Sequence, residues 1–256
     1  MILIRTLSAE MLKLKRTIAL KMVILAPVAV LLLTLFMVSQ APFSTVQRNP
    51  AMDEWKALTR LNLQFWGMLM APLYLTLQTA LLAGLDHTDN QWKALFARPV
   101  PRWAIYITKL IVAMAMAVAS AAILALGLVA EGKILHQLDR ELRFGQPAPL
   151  ALIIQQTSQM TGLAFLSLTL LHWVSLRWRS FSIAIGFGIV AMVTSFAMLL
   201  AAGQYGAWPQ YFPWALPMLV IARHPENIEL ALWVSGALGL LTTAVGCADF
   251  CTREIT

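Results

Sequence analysis

Charge is scarce in this chain. Only 12% of its 256 residues are Asp, Glu, Lys or Arg, about half of the ~25% usual in a soluble domain. Hydrophobic residues fill 59% of it and the mean hydropathy is +0.72. A water-soluble globule of this size has too little polar material to cover that apolar mass. The shortage excludes a soluble enzyme, a disordered chain and a nucleic-acid-binding domain. Cysteine is almost absent. Cys247 and Cys251, four apart, cannot build a disulfide framework and read as two reduced thiols, although one helical turn leaves a strained local disulfide open. There is no Gly-x-x-x-x-Gly-Lys-Ser/Thr loop to cradle phosphates, so any nucleotide-driven work needs a separate subunit. His87, His136, His172 and His224 are dispersed, and no His or Cys grouping suggests a metal site; His172 reads as an interfacial hydrogen-bonding group. Long linkers and fixed-period repeats are missing, which leaves one domain, 1–256. No cleavable leader is expected, because the first apolar run starts near Ile18 and is too long and too late.

What the chain does have is length of apolar run. A membrane-spanning helix takes ~20 mostly apolar residues. Six runs qualify: 18–38, 61–85, 105–130, 150–176, 181–203 and 230–248. The fold class is therefore an all-α polytopic membrane protein with six transmembrane helices. A further apolar stretch, Trp214 to Ala222, is too short to cross and stands among Pro209, Pro213, Pro217 and Pro225; segment 204–229 reads as a re-entrant or interfacial turn on the outer side.

Orientation follows from the basic residues near the ends of the runs. With the N-terminus inside, that side holds twelve of the nineteen basic residues and five acids, a net of +7, whereas the other side balances to zero. Both termini are then cytoplasmic, and the basic excess points to anionic lipid rather than to nucleic acid. Trp92, Trp103, Tyr106, Trp173 and Trp178 fall at inner ends of the runs; Trp55, Trp66, Tyr205, Trp208, Tyr211, Trp214 and Trp233 fall at outer ends, as an aromatic belt requires. Lys21, near the start of the first run, is placed to snorkel to the inner interface. The charge-rich outer loop 131–145, with Glu131, Lys133, Asp139, Arg140, Glu141 and Arg143, reads as solvated.

Ahead of the first run, residues 1–17 carry Ile4, Leu7, Met11 and Leu14 at helical spacing, with Arg5, Glu10, Lys13, Lys15 and Arg16 mostly elsewhere. This predicts an amphipathic helix in the inner interface, basic face to lipid headgroups. Between runs two and three, Asp89 or Asn90 can cap a short helix that Arg98-Pro99 must end. Over 89–98, Trp92, Leu95 and Phe96 share one face, which at the tip of a helix pair needs a partner of lipid or protein; Arg98 and Arg102 flank it and suit carboxylates.

With those residues in view, the chain resembles the ATP-binding-cassette transporter permeases of the type-2 class, and within it the small bacterial permeases of the lantibiotic-immunity group. The likeness rests on Glu10, Lys13, Lys15 and Arg16, on Trp92, Lys93, Leu95, Arg98, Pro99, Val100, Arg102 and Lys109, and on six crossings. The resemblance implies an N-terminal elbow helix and a coupling helix at 89–98 that docks on an ATPase through Asp89, Trp92, Lys93, Leu95, Phe96, Arg98, Pro99 and Arg102. It implies short re-entrant helices before the last crossing, two permease halves with two ATPase subunits, ATP and Mg bound only by those subunits, and residence in a bacterial inner membrane.

Inside the runs, Ala113, Ala117, Ala121 and Ala125 repeat every four positions, as do Ser235 and Gly239, which suits close helix packing or, for the first set, plain alanine richness. Gln155, Gln159, Gly162 and Thr169 fall on one face of run four. Amides in hydrocarbon need partners or water, so this face reads as a translocation path or as interhelical glue. No run holds an ionisable pair or a Ser/His couple for intramembrane catalysis, and none holds the mid-membrane charge of a gradient-driven carrier. The leading expectation is therefore the permease of an ATP-driven exporter, with a carrier or an intramembrane enzyme as alternatives.

Overall fold

The computed structural model describes residues 2–40, 53–87, 100–138, 144, 147–178, 180–201, 211–221 and 227–252. All regular structure among them is helical. Helix α1 (Ile2–Leu14) is followed by α2 (Ile18–Gln40); α3 (Glu54–Phe65) runs through a wide π turn (Trp66–Met70) into α4 (Ala71–His87). Then come α5 (Arg102–Leu138), α6 (Leu150–Leu163), α7 (Phe165–Arg177), α8 (Phe181–Ala201), a short 3-10 turn (Leu216–Ile221) and α9 (Ile228–Thr252). Six stretches are long and apolar enough to cross a membrane: α2, α3–α4, α5, α6–α7, α8 and α9. The second begins at Glu54 and the third continues to Leu138, beyond the 61–85 and 105–130 of the hydropathy reading. Hydropathy stops at the first charged residue, whereas a helix does not.

The turn from α1 into α2 is made by Arg16, which sits in left-handed backbone at φ 68°. From there the crossings alternate between two ends of the bundle. The end holding α1 also receives the last turn of α9, because Thr6 meets Thr108 and Arg102 meets the Cys251 carbonyl. The opposite, far end is formed by the end of α2, the start of α3 and the end of α5.

The core is built around α4, α5 and α7. The Ala113, Ala117 and Ala121 stripe of α5 is buried, and α4 answers it with polar side chains. Tyr74 Oη donates to the Met116 carbonyl at 3.1 Å and Gln78 Nε2 to the Ala113 carbonyl at 2.8 Å. In contrast, Leu32, Phe36, Leu126, Val190, Trp233 and Leu240 lie exposed on the rim. Such faces suit hydrocarbon and not water.

Run four is broken. At Ala164 the backbone leaves helical register, and Ser235 of α9 repairs the gap. Its hydroxyl lies 3.1 Å and 3.0 Å from the Gly162 and Leu163 carbonyls, and the Leu166 amide donates to it at 3.3 Å. One turn on, Gly239 admits the ring of Phe165, which a Cβ there would strike. The Ser235 and Gly239 stripe thus serves a helix discontinuity as well as close packing.

Three expectations are corrected. Trp55, Trp66, Tyr106 and Trp214 are buried in the bundle and do not form a belt, while Trp103, Trp178 and Trp233 are exposed. Indole and phenol rings here fill space between helices, a use that hydropathy cannot separate from interface anchoring. Glu131 is not in a solvated loop; it lies inside α5, buried. The apolar face of α1 is split, as described below. Within segment 204–229, residues 211–221 tuck Trp214, Leu216 and Val220 into the bundle, against α6 and beside the π turn.

Candidate functional site

The first buried charge on the sequence is Glu10, and its position on α1 explains it. Leu7, Glu10 and Leu14 follow at spacings of three and four, so they share the face that α1 turns to α5. Ile4 and Met11, assigned to the same apolar face, instead point outward together with Leu12. The carboxylate therefore faces protein and not lipid headgroups. Glu10 Oε2 lies 2.8 Å from Lys109 Nζ, and Oε1 lies 2.8 Å from Lys13 Nζ. Lys109 is 1% exposed. Beside the pair, the hydroxyls of Thr6 and Thr108 are 2.9 Å apart. Lys15 and Arg16 stay exposed. A pair withdrawn from water makes either partner costly to remove singly.

Sequence reasoning quoted Glu10 and Lys109 for two separate motifs and missed that they meet. The available signal was an acid standing in the apolar register of an amphipathic helix, where only a buried cation would justify it.

Two turns before Lys109, α5 begins against α7 and α9. Arg102 Nη1 donates to the Cys251 carbonyl at 3.1 Å, satisfying an acceptor in the last turn of α9. Arg102, expected to reach a partner's carboxylates, is thus engaged within the chain. His172 Nε2 donates to the Tyr106 carbonyl at 3.2 Å, and the two rings meet edge to face at 4.8 Å. Gly246 lets α9 close on Tyr106, whose hydroxyl a Cβ there would strike. Asp249 of α9 accepts from Trp173 Nε1 at 3.2 Å and pairs with Arg177 at 2.9 Å, so α7 and α9 are laced together.

Ala83 of α4, Val100, Ile105, Tyr106, Leu176 and Phe250 pack as one small apolar cluster in this place. Both strands of the loop between α4 and α5 leave from it. The loop residues Asp89, Trp92, Lys93, Leu95, Phe96, Arg98 and Pro99 lie outside the described residues. What the structure does show is their footing. Through α5 that footing is fastened to α1 by a buried ion pair and to α7 and α9 by the contacts above.

The polar face of run four does not hold together. Gln155 is exposed and Gln159 half-buried, whereas Thr169 is fully buried with its hydroxyl on the Leu166 carbonyl at 2.9 Å. The side chains of Gln155 and Gln159 make no hydrogen bond among the described residues, and Thr169 is buried away from the surface they share.

Residues 6–196 match the sequence model of the ABC-2 family transporter protein, a span that takes in α1 and runs almost to the end of α8. No curated protein and no solved structure matches the chain.

Proposed function

This chain belongs to the ABC-2 family of transporter proteins and is a multi-pass membrane permease of that class, from which we propose that it is the transmembrane half of an ATP-driven exporter. In this reading α1 is the elbow helix in the inner interface, and the α4–α5 loop is the coupling element that docks on a separate ATPase subunit. Two such ATPases, which bind ATP and Mg, serve two permease halves in a bacterial inner membrane. Both described ends then face the cytoplasm, in keeping with the +7 excess placed on that side by the sequence. The exported compound is a peptide, an antibiotic or another amphipathic molecule, the range suggested by likeness to the lantibiotic-immunity group. Gln155 and Gln159, unpartnered on α6, remain the candidates for its path.

The observation that carries the proposal is the buried Glu10–Lys109 pair. It joins the two motif regions quoted for the family likeness, and it does so at the root of the loop that would receive the ATPase stroke. A lever needs a rigid root, and an ion pair excluded from water supplies one.

The test is capture of the tagged permease from detergent-solubilised membranes. A co-purifying chain with a phosphate-binding Gly-x-x-x-x-Gly-Lys-Ser/Thr loop is expected, and its yield should fall several-fold with Leu95→Ala or Phe96→Ala, since a buried apolar anchor contributes ~2 kcal/mol at an interface centre. Insertion of the permease should be unchanged. Recovery of the permease without any nucleotide-binding chain overturns the reading.

A further inference from the structure

The far end of the bundle contains a second buried acid, remote from the α4–α5 loop. Glu131 of α5 is 3% exposed, Thr34 of α2 and Asn62 of α3 are fully buried, and the three form a triangle. Thr34 Oγ1 lies 2.8 Å from Glu131 Oε1, Asn62 Nδ2 donates to Glu131 Oε2 at 2.9 Å, and Thr34 Oγ1 lies 3.2 Å from Asn62 Oδ1. Asn62 Nδ2 also reaches its own helix at the Leu58 carbonyl, 3.2 Å away. Among the described residues no lysine or arginine pairs with this carboxyl group.

The packing around the triangle is tuned to bring the three helices close. Gly127, one turn before Glu131, leaves room for Leu31 of α2, and Gly132, the next residue, leaves room for the Trp55 ring of α3; a Cβ at either position would strike them. Val38, Trp55, Leu58, Leu128, Leu135 and Phe144 form a cluster of their own, separate from the main core.

We propose that Glu131 is a positioning residue that fastens the far ends of α2, α3 and α5 into one body, and that it works by hydrogen bonding and not by its charge. Thr34 has one hydroxyl hydrogen and four oxygen neighbours: the Val30 and Leu31 carbonyls, Asn62 Oδ1 and Glu131 Oε1. One donor cannot serve four acceptors, so the triangle has an acceptor to spare, and a neutral amide at position 131 supplies the missing hydrogen. An ionisable residue inside a membrane bundle is ordinarily read as a coupling or path group. Here every contact points into the joint, and whatever opens at this end opens around the triangle, not through it.

The inference stands independently of the ATP-driven reading, and so does its test. Spin labels are placed on exposed sites at Ser39 and Leu138, and in a second chain at Lys56 and Leu138, with Cys247 and Cys251 replaced by Ser. Inter-label distances are measured in lipid nanodiscs. The native chain and Glu131→Gln should give one narrow distance for each pair. Glu131→Leu should broaden both. Thr34→Val, which removes only a hydroxyl, should broaden the α2–α5 pair and leave the α3–α5 pair narrow. Narrow distances in the Leu and Val variants, or a Gln variant as broad as the Leu variant, overturn the proposal. Should the Leu variant fail to fold, the Gln and Val chains decide alone.

Discussion

Lys109 and Glu131 stand near opposite ends of α5 and are both buried, yet the protein satisfies them in opposite ways. They are 22 residues apart on one helix, about 33 Å at 1.5 Å per residue, close to the ~30 Å of a bilayer's hydrocarbon. Each therefore sits at a border of the apolar layer, and the stretch between them carries no charge. At the α1 end a cation meets an anion, and the pair joins a surface helix to a crossing. At the far end a carboxyl group meets a hydroxyl and an amide and joins three crossings. An ion pair makes each partner costly to remove singly. A network held by hydrogen bonds is more tolerant, because each bond trades against other partners in the membrane. The two ends of α5 are thus fastened by different chemistry.

The largest effect expected from this contrast is at Glu10. Glu10→Gln takes a carboxylate partner from an ammonium group that is 1% exposed, and stability should fall by up to about 3–5 kcal/mol. Thermal denaturation of the detergent-solubilised permease reads this directly. The double variant Glu10→Gln/Lys109→Met removes both charges and should recover most of the loss. A double variant that is as unstable as the sum of the two singles would mean that the pair is not a unit, and the contrast would fail.

Much of this was legible from residues alone. Six crossings and the interruption before the last one followed from apolar run length; a helix at α1 followed from spacing, but not the face it turns to the bundle. The α5 alanine stripe and the Ser235–Gly239 pair were also readable as packing faces. What escaped was polar matter put to structural use. Glu131 looked like the first residue of a charged loop because sequence cannot show that Thr34 and Asn62, far away in the chain, wait for it. The face drawn through Gln155, Gln159 and Thr169 is uneven along its length: Gln155 is exposed and Thr169 is buried in the bundle, a difference that spacing alone does not carry. Trp55, Trp66 and Trp214 were placed by the rule for interfaces and are governed by packing.

A smaller effect is expected at Gly132, where the far-end joint depends on close approach. Gly132→Ala sets a methyl against the Trp55 ring, which is itself held edge to face against Phe144 at 5.1 Å. Overpacking of this kind costs ~1–3 kcal/mol. The melting temperature should fall. Trp55→Leu in the same chain should restore part of it, and a Gly132→Ala chain of native stability would show that α3 and α5 are not in the tight contact on which the joint rests.

Ser235→Ala probes a joint with no charge at all. The hydroxyl shares the Gly162 and Leu163 carbonyls and the Leu166 amide, groups left over where α6 ends and α7 begins. Losing it leaves buried backbone groups unpaired, at ~1–2 kcal/mol. Amide hydrogen exchange at Leu166 should quicken, while exchange within the middle of α5 should not.

The smallest expected effect is the sharpest comparison, because it repeats the first substitution at the other end. Glu131→Gln keeps the size of the side chain, keeps an oxygen for Asn62 Nδ2, and gives Thr34 Oγ1 a donor in place of a competitor for its single hydrogen. No described cation loses a partner. The stability change should lie within about 0.5 kcal/mol of zero, the range of substitutions that disturb no buried feature. Glu→Gln is thus costly at position 10 and silent at position 131, in one protein and by one assay. If both positions lose stability equally, the carboxyl group of Glu131 acts through its charge, and the distinction between an ionic joint at one end of α5 and a hydrogen-bonded joint at the other does not hold.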